Sequence, residues 1–178
     1  MEVDGITRTE AEAEQARRHC RAVFLHNLEE GLPSGLADSY DLVVCAHVLE
    51  HIAFPEALLN DIRRRMRAET SRLLVALPNA VTYKTRLHFL LGRFEYAEAG
   101  IMDYTHLRWY TLKTGRQLLE RHGFLVERAF VDGDIPFGRL FNIFPKSVVD
   151  GLTRMLHLLA PGLFGHELVY TAIVGEGA

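Results

Sequence analysis

Three residues in the run VVCAHVLEHI, His47, Glu50 and His51, carry side chains that can bind a metal, move a proton or order a turn. Their i, i+3, i+4 spacing places all three on one face wherever the turn is helical. A set rich in imidazole favours a borderline-soft ion such as zinc over magnesium, with His106 of DYTHLRWYT as a fourth ligand. Imidazole also changes charge near neutral pH, so His47, directly after an apolar run, and His106, in the segment that precedes a capped helix, are the candidate general bases. For each, the alternative is a hydrogen bond that fixes a loop. No nucleophile motif accompanies the cluster, which places metal-dependent hydrolysis last among the readings.

These side chains need elements to hold them. Residues 1–6 and 22–25 read as short strands, with Thr9 and Glu12 forming a capping box for a helix to about His19. Residues 40–46 form a third strand, apolar on both faces and therefore expected at the centre of a sheet. Pro55 starts a helix whose apolar residues Ala57, Leu58, Ile62 and Met66 recur at helical spacing. A strand follows at 72–77, a helix at 81–91, and a helix capped by Thr111 that stops at Gly123. Strands at 124–131 and 167–174 complete an α/β layer that is mostly parallel, its last strand antiparallel. Between them, residues 139–166 read as a helical insertion. Its stripe, Phe141, Phe144, Val148, Leu152, Met155, Leu156 and Leu159, is expected to pack on the domain. A peripheral membrane contact is the rival reading, weakened by a polar face poor in Lys and Arg.

At 178 residues, 48% hydrophobic and with a net charge of −3, the chain is expected to be a single domain, residues 1–178. No apolar run is long enough to span a bilayer and no signal-peptide pattern is present, so a cytoplasmic protein is expected. Cys20 and Cys45 have no CxxC spacing; Cys45 reads as a buried thiol. Arg63, Arg64, Arg65 and Arg67 form a basic cluster without interleaved aromatics, read as a solvated helix face and not as a nucleic-acid site.

Four segments in order resemble the class I S-adenosylmethionine-dependent methyltransferases. YDLVVCAHVLEHI is similar to that family's fourth strand and turn, LLVALPN to its fifth strand, and residues 100–127 to its late loop, helix and strand. PGLFGHELVYTAIV is similar to its final strand region, especially in bacterial members acting in glycan or natural-product pathways. The resemblance implies a Rossmann-like sheet with S-adenosylmethionine bound beyond the carboxyl ends of its strands. It also implies methyl transfer to an oxygen or nitrogen of a small molecule or glycan intermediate. Alignment and, where needed, a base are what the protein must supply to such an in-line displacement.

The chain departs from that family in three places. Nothing precedes the family's second strand, so its first strand, first helix and glycine-rich cofactor loop have no counterpart; none of the fourteen glycines restores the loop. Thr7 stands where an acidic residue usually holds the ribose hydroxyls, and a neutral hydroxyl makes weaker bonds than a carboxylate. Asn27 stands where an aspartate usually contacts adenine. The expectation is an N-terminally shortened methyltransferase domain, in which the second and fourth strands either pair directly or leave an apolar gap. A non-catalytic methyltransferase-like subunit, completed by a partner's strand, is the alternative.

The resemblance thus implies cofactor contacts from Thr7, Asn27, Leu28, Ala46 and His47, and base roles for His47 and His106. Leu-Glu-His is widespread in members without metal, so Glu50 and His51 are expected to order the loop and no metal site is expected. Among the aromatic residues after the fifth strand, Tyr104 and Trp109 are assigned to an apolar or sugar-like acceptor. The oligomeric state has no signal.

Overall fold

The Thr9 hydroxyl accepts a hydrogen bond from the Glu12 amide and so starts α1 (Glu10–Ala16). That helix connects two short parallel strands, β1 (Asp4–Thr7) and β2 (Ala22–Leu25), paired from Asp4 opposite Ala22 to Thr7 opposite Leu25. The structure is a computed structural model and describes residues 2–68, 70–133 and 145–175. After a turn-rich stretch come β3 (Leu42–Ala46), α2 (Pro55–Arg64), β4 (Arg72–Pro78), α3 (Tyr83–Leu90), α4 (Leu112–Arg121) and β5 (Phe124–Asp132). Then follow α5 (Lys146–Leu159), α6 (Pro161–Phe164) and β6 (Glu167–Val174). Proline at its first position starts α2, and reciprocal bonds between Thr111 and Thr114 cap α4.

Two sheets result. β1 and β2 form one, and the other has the order β3-β4-β6-β5. β3 and β4 run parallel while β6 runs antiparallel to both neighbours, matching the expected mostly parallel sheet with a reversed last strand. Register builds the core. Leu73 lies opposite Ala172, Val75 opposite both Cys45 and Tyr170, and Leu77 opposite Leu168, so all seven side chains share one face. They meet Leu58, Leu59 and Ile62 of α2 and Leu119 of α4, all buried.

β3 departs from expectation. Among the described residues it pairs only with β4, and it is an edge strand whose Leu42 and Val44 are 48% and 54% exposed. Both of its faces are apolar, but only the Cys45 side has a helix packed on it. Of the two outcomes expected for β1 and β3, the gap is the one observed: an apolar cavity lies between them, lined by Ile6, Val43, Val44 and Cys45 among others. The helical insertion also differs. On α5, Val148, Met155 and Leu159 are exposed while Leu152 and Leu156 are partly buried, so part of that stripe is left uncovered; Phe141 and Phe144 lie outside the described residues. No described helix is long and apolar enough to cross a membrane.

Two sets of hydrogen bonds test this account. Tyr170 is fully buried, and its hydroxyl donates to the Leu112 carbonyl at 3.1 Å, directly over Gly115, where a methyl group would collide with the phenol. Gly115→Ala is therefore expected to lower stability by about 1–3 kcal/mol in urea unfolding, although alanine is the better helix former. Asp4 accepts from Arg21 at 3.0 and 2.5 Å and from the Tyr40 hydroxyl at 2.7 Å, and these bonds hold its carboxyl below the usual range. A lowered folded-state pKa contributes stability above the unfolded value, lost as pH falls through the folded one. Acid unfolding followed by circular dichroism should start at higher pH in wild type than the charge-independent baseline, and Asp4→Asn should remove that pH-dependent part.

Candidate functional site

Three strand ends and one helix start converge. Thr7 ends β1, Asn27 follows β2, and His47 follows β3, while Glu12 lies in the first turn of α1. Together they line a cavity of about 610 Å³, with Ile6, Leu28, Val48 and Ile52 as its apolar wall. Thr7 and Glu12 are bonded: the threonine hydroxyl donates to the glutamate carboxylate. Bonds from Thr7 and Thr9 lower the carboxyl pKa of Glu12, so it is a stable anion at neutral pH. Asn27 caps the following turn through its carbonyl, which accepts from the Glu29 amide at 3.3 Å. Its amide NH₂ is not used by that bond.

His47 sits at the sharpest point of the backbone. Its amide still donates to the Ala76 carbonyl at 3.0 Å, prolonging the β3–β4 pairing, but its φ is +54°. It has the left-handed conformation that residues other than glycine seldom adopt, and such residues gather at ligand sites. Its Nδ1 lies 3.1 Å from Glu50 Oε1 and its Nε2 3.5 Å from Glu167 Oε1. The chain then makes a single 3₁₀ turn, Leu49–His51.

Glu50 in that turn is fully buried. Its carbonyl accepts from the amides of Leu107 at 2.8 Å and Arg108 at 3.1 Å, and Arg108 in turn donates to the Ala53 carbonyl at 2.8 Å. His51 Nδ1 is 3.2 Å from the Thr105 carbonyl, and His106 Nδ1 is 3.0 Å from the Ile101 carbonyl. The two rings meet edge-on, their centroids 4.7 Å apart. The turn after β3 and the loop before α4 are thus one assembly.

Thr7, Asn27, Leu28 and His47 therefore come together as nominated. Ala46 ends its strand behind His47 and is not among the lining residues; nor are His106, which is buried, or Tyr104 and Trp109. Tyr104 is 65% exposed, and Trp109 stands with Phe94 and Tyr96, ring centroids 6.2 and 6.3 Å away. Glu12 was missed. Three residues after Thr9, it reads in the sequence as part of a helix cap.

A family model described as a methyltransferase domain matches residues 4–129. The chain belongs to that family. Its members are S-adenosylmethionine-dependent methyltransferases of class I, and the mixed α/β fold, with its parallel strands and one antiparallel strand, is Rossmann-like as theirs is. Among solved structures, a SAM-dependent methyltransferase from Archaeoglobus fulgidus aligns with a TM-score of 0.63 at 20% identity, over 96% of this chain and 75% of that one. A complex of the Haloferax volcanii Trm112 methyltransferase activator with a putative methyltransferase gives 0.58 at 18% identity, over 99% and 73%. An O-methyltransferase of a polyketide synthase from Brevibacillus brevis, bound to S-adenosyl-L-homocysteine, gives 0.54 at 16%, over 100% and 60%. No curated protein matches the sequence.

The same packing fixes the chemistry of the two thiols. Burial and the nearby Glu50 carboxylate push the Cys45 thiol up to about 12, whereas Cys20 is only half-buried. In a thiol-reagent titration at pH 8, one thiol per folded chain should react, lost in Cys20→Ser, and Cys45 should react only after unfolding.

Proposed function

We propose that this methyltransferase domain binds S-adenosylmethionine in the 610 Å³ cavity and transfers its methyl group to an oxygen or nitrogen of a small molecule or glycan intermediate. One observation supports this most: residues from three separate strand ends line one cavity of ligand size, with a carboxylate, an amide and an apolar wall. The donor set suits a nucleoside. Glu12 can accept from a ribose diol with the charge-assisted bonds that Thr7 cannot provide, Asn27 can donate to a purine edge, and Leu28 and Ile52 can flank the ring. The cofactor supplies an electrophilic methyl on a sulfonium. His47 supplies the base: a proton taken at Nε2 gives an imidazolium standing between the carboxylates of Glu50 and Glu167.

A second reading draws on the open edge of β3, with Leu42 and Val44 exposed, and on the activator-bound Haloferax relative. In it the domain is a subunit that works once a partner's extended segment pairs along that edge.

Calorimetric titration with S-adenosylmethionine tests both. Saturable binding by the chain, weakened about 10-fold or more in Glu12→Gln, is the expected result for the enzyme. A folded chain that shows no heat of binding supports the subunit. On any acceptor turned over from a panel of alcohols, amines and sugars, His47→Gln should slow transfer by about 10²–10⁴.

A further inference from the structure

Glu167 stands at the same strand ends as His47 without lining the cavity. It opens β6, opposite Pro78 at the end of β4 and Asp132 at the end of β5, and its side chain is half-exposed. Among the described residues no lysine or arginine pairs with it. The partner it has is His47, whose Nε2 lies 3.5 Å from Oε1.

The two nitrogens of the His47 ring are not equally free. Nδ1 lies 3.1 Å from the carboxylate of the fully buried Glu50, which can only accept, so the neutral ring carries its proton there. Nε2 is then a lone pair, and it faces a second group that can only accept. Two acceptors 3.5 Å apart repel, and the separation exceeds the roughly 2.7–2.9 Å of a charge-assisted hydrogen bond. A donor with more than one N–H relieves both. The surroundings carry the same sign: the cavity wall holds Glu12 and Glu29 against Arg8, Glu50 and Glu167 flank His47, and Asp132 stands beside Glu167 in register. Carboxylates thus outnumber cations about the base, which favours a cationic acceptor and disfavours a phosphate or carboxylate.

We propose that the acceptor is an amine bound as its ammonium ion, and that Glu167 is the residue that selects it. This rests on methyl transfer with His47 as the base, and it narrows the acceptor atom to nitrogen. An ammonium nitrogen about 2.8–3.0 Å from Nε2 and from Oε1 closes a triangle on the 3.5 Å edge and donates to both. A hydroxyl has one proton and no charge, so it can satisfy Nε2 only by leaving Glu167 unpaired. One ammonium proton passes to Nε2, which leaves a neutral amine with a lone pair and an imidazolium between Glu50 and Glu167. The lone pair takes the methyl group as its bond to sulfur breaks, that bonding pair staying on sulfur. The methylated product is again a cation beside Glu167, and His47 returns its proton to water.

The test uses the full chain labelled with ¹⁵N-histidine, without cofactor, and follows the His47 ring by NMR, its signals assigned through His47→Gln. The probes are benzylammonium and its neutral counterpart of the same shape, benzyl alcohol. Benzylammonium should shift the His47 signals saturably and benzyl alcohol should not. Glu167→Gln, checked for folding by circular dichroism, should bind the ammonium about 10-fold or more weakly, and Glu167→Asp should keep part of the affinity. With S-adenosylmethionine added, amines from a panel of matched amines and alcohols should be methylated, and Glu167→Gln should raise their KM about 10-fold with a smaller change in kcat. Equal shifts from amine and alcohol, no shift from either, unchanged binding in folded Glu167→Gln, or methylation of alcohols in preference to amines would overturn the proposal. A chain that binds no S-adenosylmethionine would instead end the methyltransferase reading, and the titration without cofactor still decides whether Glu167 and His47 hold an amine. Should Glu167→Gln unfold, the wild-type comparison of amine with alcohol decides.

Discussion

The burial of Glu50 governs the arrangement of this end of the molecule. A glutamate in the turn after β3 is held inside, its main-chain carbonyl taken by the amides of Leu107 and Arg108 and its carboxylate by His47. The buried carboxyl cannot be exchanged for an apolar side chain without depriving His47 Nδ1 of its partner, while the bonds to the main-chain carbonyl hold the late loop whatever the side chain is. The late loop is therefore not independent of the strand end: moving one exposes polar groups of the other. His47 has a left-handed backbone at this point, and in that conformation its amide stays on Ala76 while its ring reaches Glu50.

The sheet sets a second constraint. β4 and β6 are paired on both edges and carry the fully buried residues Leu73, Val75, Leu168 and Tyr170. β3 has one partner, and β1 with β2 stands across an apolar gap. Stability is accordingly uneven: the four-stranded sheet is closed by helices on the Cys45 face, whereas the two-stranded unit relies on Asp4, Arg21 and Tyr40. Those polar bonds add to the packing of Ala13 beneath α1 and of Leu28 and Leu32 against the main core. Part of the proposed cofactor cavity is lined by that two-stranded unit, through Thr7, Glu12 and Asn27, so in that reading binding is coupled to its docking.

How much of this could be read from the residues follows from the range of each signal. Local chemistry was legible: Thr9 and Thr111 as caps, Pro55 as a helix start, Gly123 as a left-handed stop, and the alternation of β6. The sense of the strands and the grouping of Thr7, Asn27, Leu28 and His47 were legible as well, because the order of motifs specifies which ends share an edge. The position of β3 was not. Leucine and valine on both faces indicate a strand able to be covered twice, but the pattern carries no record of whether a neighbour is present. Similarly, α5 has an apolar stripe that its sequence assigns to packing, and its Val148, Met155 and Leu159 remain uncovered.

Glu12 shows why a site can keep its chemistry when its usual position does not. Read by position, Thr7 replaces a carboxylate with a hydroxyl and weakens the ribose end of a nucleoside site. Read in space, the Thr7 hydroxyl donates to a carboxylate that arrives one helical turn later, from α1. In the proposed site the threonine is a positioning residue and the charge stands five places further along the chain. Two features make the exchange cheap. The first turn of a helix favours an anion, and the Thr9 cap already fixes where Glu12 begins its turn. A glutamate in the first turn of a helix is thus a ready source of negative charge for a cavity at the foot of that helix. The ordinary reading of such a glutamate, as helix grammar alone, hides that second use.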